Sequence, residues 1–76
     1  MEKIMEILKG IRPEFDFSTS EDFIEDGYLD SFDLVTLVSE LDDTFGISID
    51  GLDIVPENFM TVETIASVVK NNGGSV

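Results

Sequence analysis

The 76-residue chain contains no histidine, no cysteine and no tryptophan. Without histidine it cannot build a Ser-His or Cys-His nucleophile pair or offer imidazole to zinc. Without cysteine it has no thiol of its own, no disulfide and no thiolate ligand. Basic residues are scarce too: 4 Lys and Arg stand against 17 Asp and Glu, a formal net charge of -13. A surface this negative repels nucleic-acid phosphates and anionic lipid headgroups, so direct binding to either is not expected and partners should be basic. The length allows one small domain, burying roughly 60% of the surface its unfolded chain exposes. There is no room for a catalytic cleft between two lobes.

Long apolar runs are also missing; none approaches the roughly 18 residues of a membrane-spanning helix. With no disulfides and no secretory-signal pattern, a cytoplasmic, reducing location is expected. Yet 42% of the residues are hydrophobic and the mean hydropathy is +0.14. That is too apolar for the acidic disordered class and enough for one core. All four bases lie near the ends, at Lys3, Lys9, Arg12 and Lys70, while residues 13 to 69 hold 15 acids and no base.

Three segments show helical periodicity. Ile4, Ile7, Leu8 and Ile11 share one face of a first helix over about Glu2 to Lys9, with Gly10 closing it. Leu34, Leu37, Val38, Leu41 and Phe45 mark a second over Ser31 to Phe45, stopped by Gly46. Asp30 before it and Asp33 three residues on supply side-chain acceptors for the unpaired N–H groups of the first turn. Val62, Ile65, Ala66 and Val69 define a third from Thr61, its N-cap, to about Asn71. A short helical turn fits Pro56-Glu57-Asn58-Phe59, since proline in the first turn forfeits only an N–H that would lack a partner. The expected fold is therefore all-α, a small four-helix bundle of three main helices plus one short one. The expected domain spans 1–72, followed by an expected flexible tail over 73–76.

The connection from Arg12 to Asp30 is long for so small a domain. It carries Phe15, Phe17, Phe23, Ile24, Tyr28 and Leu29, enough apolar surface to fold back over the helices. This packed loop delivers the chain to the start of the second helix, where the sequence reads Asp26-Gly27-Tyr28-Leu29-Asp30-Ser31-Phe32-Asp33. Ser31 at such a helix start should be exposed and held in a fixed orientation, and a phosphate on it would meet the positive end of the helix. No His or nearby Lys can activate Ser31, so any chemistry on it needs an external enzyme. A serine at a helix start is, taken alone, most often a plain cap.

That stretch resembles the attachment site of the acyl carrier protein family, marked by Asp-Ser-Leu at the start of the second helix of a four-helix bundle. The likeness covers nearly the whole chain. It includes the opening amphipathic helix, the apolar loop, Phe45-Gly46-Ile47-Ser48-Ile49 after the second helix, and the final helix beginning Thr61-Val62. The resemblance implies that Ser31, preceded by Asp30, receives a covalent 4′-phosphopantetheine arm from coenzyme A and holds acyl groups on it as thioesters. It also implies a carrier that is a substrate of partner enzymes and not itself an enzyme, handed its arm by a phosphopantetheinyl transferase. Absence of cysteine fits an imported thiol.

The outer face of the second helix is then what partners read: Ser31, Val35, Ser39 and Asp42 along one stripe, with Phe32, Asp33, Thr36 and Asp43 beside it. Loading enzymes and downstream transferases would meet it with basic patches, most strongly at low salt. A solvated acidic face is the plainer reading of these charges. No metal site is expected, because Asp50-Gly51-Leu52-Asp53 and Asp42-Asp43 both miss the calcium-loop spacing. Compared with the fatty-acid-synthesis type, Phe32 replaces the usual Leu, Thr36 an acid, Ser39 a large apolar residue and Glu40 a small one. The favoured reading is a monomeric acyl carrier for fatty-acid-like or specialised biosynthesis. A D-alanyl or other aminoacyl carrier is the alternative, and an acidic helical interaction protein or nucleic-acid mimic is a reading of a different class.

Overall fold

A computed structural model describes residues 2–75. Met1 and Val76, the outermost residues of the expected domain and tail, lie outside that range. Among the described residues the chain is all-helical, with α1 at Glu2–Ile11, α2 at Ser31–Phe45 and α3 at Val62–Asn71, and no strands. Single 3-10 turns occupy Phe17–Thr19, Gly51–Asp53 and Pro56–Phe59. The short helix expected at Pro56 is thus one 3-10 turn, with Pro56 at its start and Phe59 fully buried against α3.

α1 packs against both other helices. Ile4 and Leu8 of α1, Leu37 and Leu41 of α2, Ile65 and Val69 of α3, and Phe59 are completely buried together in one core. Ile7 and Ile11 cover its edge. The first helix runs past its expected end: Gly10 sits inside it, and the Arg12 N–H still donates to Leu8 O at 2.9 Å. The stop comes from Pro13, whose ring disfavours helical backbone at the residue before it. Gly10 lies on the exposed side, where its missing side chain costs the helix little packing.

Residues between α1 and α2 are held by an aromatic lattice. Phe15 stacks on Tyr28 with ring centroids 4.5 Å apart, and Phe17 meets Phe23 and Tyr28 edge-on at 5.0 and 5.5 Å. Both geometries suit the ring quadrupole. Phe23 is the hinge pin of this segment. Its N–H donates to Met60 O at 2.8 Å, and its carbonyl accepts from Tyr28 and Leu29 at 2.9 and 3.1 Å. The turn closes through Gly27 at φ 76°, a left-handed conformation that a Cβ would strain. The chain leaves that turn aimed at α2.

α2 ends as its composition implies. Gly46 adopts φ 65°, ψ 40° and returns its N–H to Asp42 O, the left-handed C-cap that glycine makes at least cost. α3 opens on a reciprocal cap: the Thr64 N–H donates to Thr61 Oγ1 and the Thr61 N–H to Thr64 Oγ1, both at 3.1 Å. It closes with Gly73 N–H on Lys70 O and Gly74 N–H on Val69 O, at 3.1 and 2.9 Å. These are the two bonds of a Schellman motif.

Candidate functional site

The start of α2 is held by a network of side-chain hydrogen bonds. Asp30 is the N-cap, in extended backbone, and its Oδ1 accepts from the Asp33 N–H at 2.9 Å. Asp33 returns the bond, its Oδ2 accepting from the Asp30 N–H at 3.1 Å. The capping box read from the sequence is therefore closed on both sides. Neither of its bonds uses Ser31, which is the first residue of the helix and is exposed. The plain-cap role falls to Asp30 and leaves the Ser31 hydroxyl free of it.

A third residue completes the junction. Arg12, just past the end of α1, donates from Nε to Asp33 Oδ2 at 2.9 Å and from an Nη to Asp30 Oδ2 at 3.3 Å. Its other Nη reaches Glu14 Oε2 at 3.4 Å. These are the only ion pairs among the described residues. The hydrogen bond to Asp33 raises the Arg12 pKa further above its already high value, with the charges of Asp33 and Asp30 contributing. Asp30 is held below its ordinary carboxyl range, first by the Asp33 N–H and then by the charge of Arg12. Asp30 is therefore ionised near neutral pH.

The residues expected to face partners divide into two groups. Phe32, Val35, Thr36, Ser39 and Asp43 are exposed, Phe32 at 84% and Val35 at 66%. Asp33 is instead buried at 8% exposure, because the cap and Arg12 consume its carboxylate. Asp42 is half-buried and turned toward the α2–α3 connection, its Oδ1 accepting from the Ile49 N–H at 2.9 Å. Asp33 and Asp42, both among the residues expected to face partners, thus spend carboxylate oxygens on local structure, Asp33 in the capping role its spacing from Asp30 implied. Leu52, in the 3-10 turn at Gly51–Asp53, is 87% exposed. The sequence pattern gave no sign of it, since nothing in its periodicity separates it from a core leucine.

The surroundings of Ser31 suit a covalent phosphate. The hydroxyl stands at the N-terminus of a 15-residue helix, where first-turn N–H groups and the helix dipole favour an anion. The nearest acid, Asp30, has its charge partly met by Arg12. No histidine exists in the chain to serve as its base, and the neighbouring Asp30 and Asp33 carboxylates are engaged by the cap and Arg12. Among the described residues, no group of three or more acids is placed to hold a metal ion, and no helix is long and apolar enough to cross a membrane.

A family model described as "Phosphopantetheine attachment site" matches residues 2–70 of the chain. No curated protein and no solved structure matches.

Proposed function

The chain belongs to the phosphopantetheine attachment-site family, and from that premise we propose that it is an acyl carrier protein whose arm is attached at Ser31. Domains of this family hold 4′-phosphopantetheine covalently. The observation that carries the assignment to Ser31 is its place at the first turn of α2, exposed, beside a cap completed by Asp30 and Asp33 without it. A phosphodiester can be added there without breaking a hydrogen bond that holds the helix.

In the attachment step, the Ser31 Oγ bonds to the pantetheine-bearing phosphorus of coenzyme A. The bond from that phosphorus to the bridging oxygen breaks, and adenosine 3′,5′-bisphosphate departs with the electron pair. The serine proton passes to a base on the phosphopantetheinyl transferase, since the chain has no histidine and the nearby carboxylates of Asp30 and Asp33 are engaged by the cap and Arg12. When bound, the arm supplies a terminal thiol for thioester linkage to an acyl group. The residues of the chain present the hydroxyl, fix the helix start and offer a docking face. That division of labour makes the protein a carrier and a substrate of other enzymes, not an enzyme.

Phe32 and Val35 supply an apolar centre beside Ser31, and Asp43 and Glu40 an acidic border. Loading enzymes and transferases with basic patches fit this face. Phe32, Thr36, Ser39 and Glu40 depart from the pattern of fatty-acid synthesis and support a dedicated acyl or aminoacyl route. The expected setting is cytoplasmic and the expected state a monomer, one domain over 1–72.

The absence of cysteine gives a direct test. After incubation with coenzyme A and a broad-specificity phosphopantetheinyl transferase, then removal of small molecules, a thiol-reactive chromophore should titrate one thiol per chain. Ser31→Ala should give none. A wild-type chain without thiol, or a variant that still acquires one, overturns the assignment.

A further inference from the structure

We propose that Arg12 is a positioning residue for modification of Ser31, acting through the two carboxylates that cap α2. Proper placement of the hydroxyl depends on the backbone of the first turn, and that backbone is held by Asp30 and Asp33. Each of these carboxylates has one oxygen engaged by Arg12: Asp33 Oδ2 at 2.9 Å and Asp30 Oδ2 at 3.3 Å. Asp33 Oδ2 also accepts the Asp30 N–H, so one oxygen joins the guanidinium to the cap itself. A planar guanidinium with several fixed donors can make both contacts at once; an ammonium is a point charge without that geometry.

The anchor of this clamp is α1. The Arg12 N–H closes the last turn of that helix on Leu8 O, and Leu8 is wholly buried in the core. The chain from Leu8 through Arg12 to Asp33 therefore ties the exposed start of α2 to the buried core. Arg12 also places a positive charge between Asp30, Asp33 and Glu14. Without it those acids would stand uncompensated beside the point where coenzyme A brings its phosphates. It is the single base among residues 10 to 69, and the fold sets it at the one junction that presents the serine.

The proposal rests on attachment at Ser31, and its test separates the two. Steady-state modification of wild type, Arg12→Ala, Arg12→Lys and the remote core variant Val69→Ala is measured where each is fully folded by circular dichroism. Amide hydrogen exchange of the unmodified proteins is recorded alongside. Arg12→Ala should lower kcat for modification by roughly 10-fold or more, as loss of orientation does, with a smaller change in KM. Exchange at Asp33 and Leu34 should quicken while the buried amides of α3 keep their protection. Arg12→Lys should recover only part of the rate, and Val69→Ala should match wild type.

If Arg12→Ala loses no more rate than Val69→Ala, or loses KM alone, the positioning role is overturned while attachment at Ser31 stands. Full rescue by Arg12→Lys overturns the two-point clamp. A wild-type chain that takes no arm overturns attachment at Ser31, and with it any role for Arg12 in that step.

Discussion

Arg12 Nε and the Asp33 carboxylate, 21 residues apart in the chain, meet at 2.9 Å beneath the first turn of α2. The same Asp33 oxygen accepts the N–H of Asp30. One buried carboxylate therefore joins the end of α1, the N-cap and the helix that bears Ser31.

Asp33→Ala should destabilise the fold by about 1.5–3 kcal/mol, the range for hydrogen bonds to charged groups, since it strands both the Asp30 N–H and the Arg12 guanidinium. Urea unfolding with an unchanged slope would measure it. Asp43→Ala, on the exposed side of the same helix, should fall within about 0.5 kcal/mol of wild type.

Asp30 gives the site a pH dependence of defined sign. Its carboxyl titrates below the ordinary value of 3.8, chiefly because the Asp33 N–H donates to it. Folding thus favours the ionised form, and the contribution is complete above 3.8 and is lost as pH falls through the lower folded value. Asn at position 30 keeps a capping oxygen but not the charge. The melting-temperature gap between wild type and Asp30→Asn should be full near neutral pH and should close in acid well below 3.8. A gap that persists there would show that ionisation of Asp30 is not its source.

Gly10→Ala should stabilise the protein by about 0.5–1 kcal/mol. The position is helical, and nothing lies within 4 Å of where a Cβ would be. Thermal unfolding reads this as a rise of a few degrees; a fall in melting temperature would mean that the backbone at Gly10 is needed as glycine.

Phe32→Ala removes a side chain that is 84% exposed. Its melting temperature should stay within about four degrees of wild type, because surface changes of this kind move stability by under about 0.5 kcal/mol. The rate of modification should fall several-fold, and that of wild type should drop as salt is raised. Unchanged modification would remove Phe32 from the docking face.

Much of this arrangement is legible in residues close in sequence. Asp30 with Asp33, Thr61 before α3 and Gly46 after α2 are local signals, read from spacing within one turn, and the structure places each as expected. What escapes is set by distance or by direction. Arg12 reads only as a stray base near one end, because its partners lie 18 and 21 residues away. Asp42 and Asp43 are identical neighbours in sequence, yet only Asp42 is turned to meet the Ile49 N–H. Gly10 has the look of a stop, but Pro13 supplies the real one by its effect on Arg12. The exposure of Leu52 depends on a 3-10 turn that leaves no periodic trace.

The central claim is that the arm sits on Ser31, and the most direct measurement is intact-mass spectrometry followed by fragmentation of the protein treated with coenzyme A and transferase. The account predicts a single added phosphopantetheinyl mass, located on Ser31 and lost in Ser31→Ala. An unchanged mass, or the same addition on Ser39 or any other serine, would contradict it.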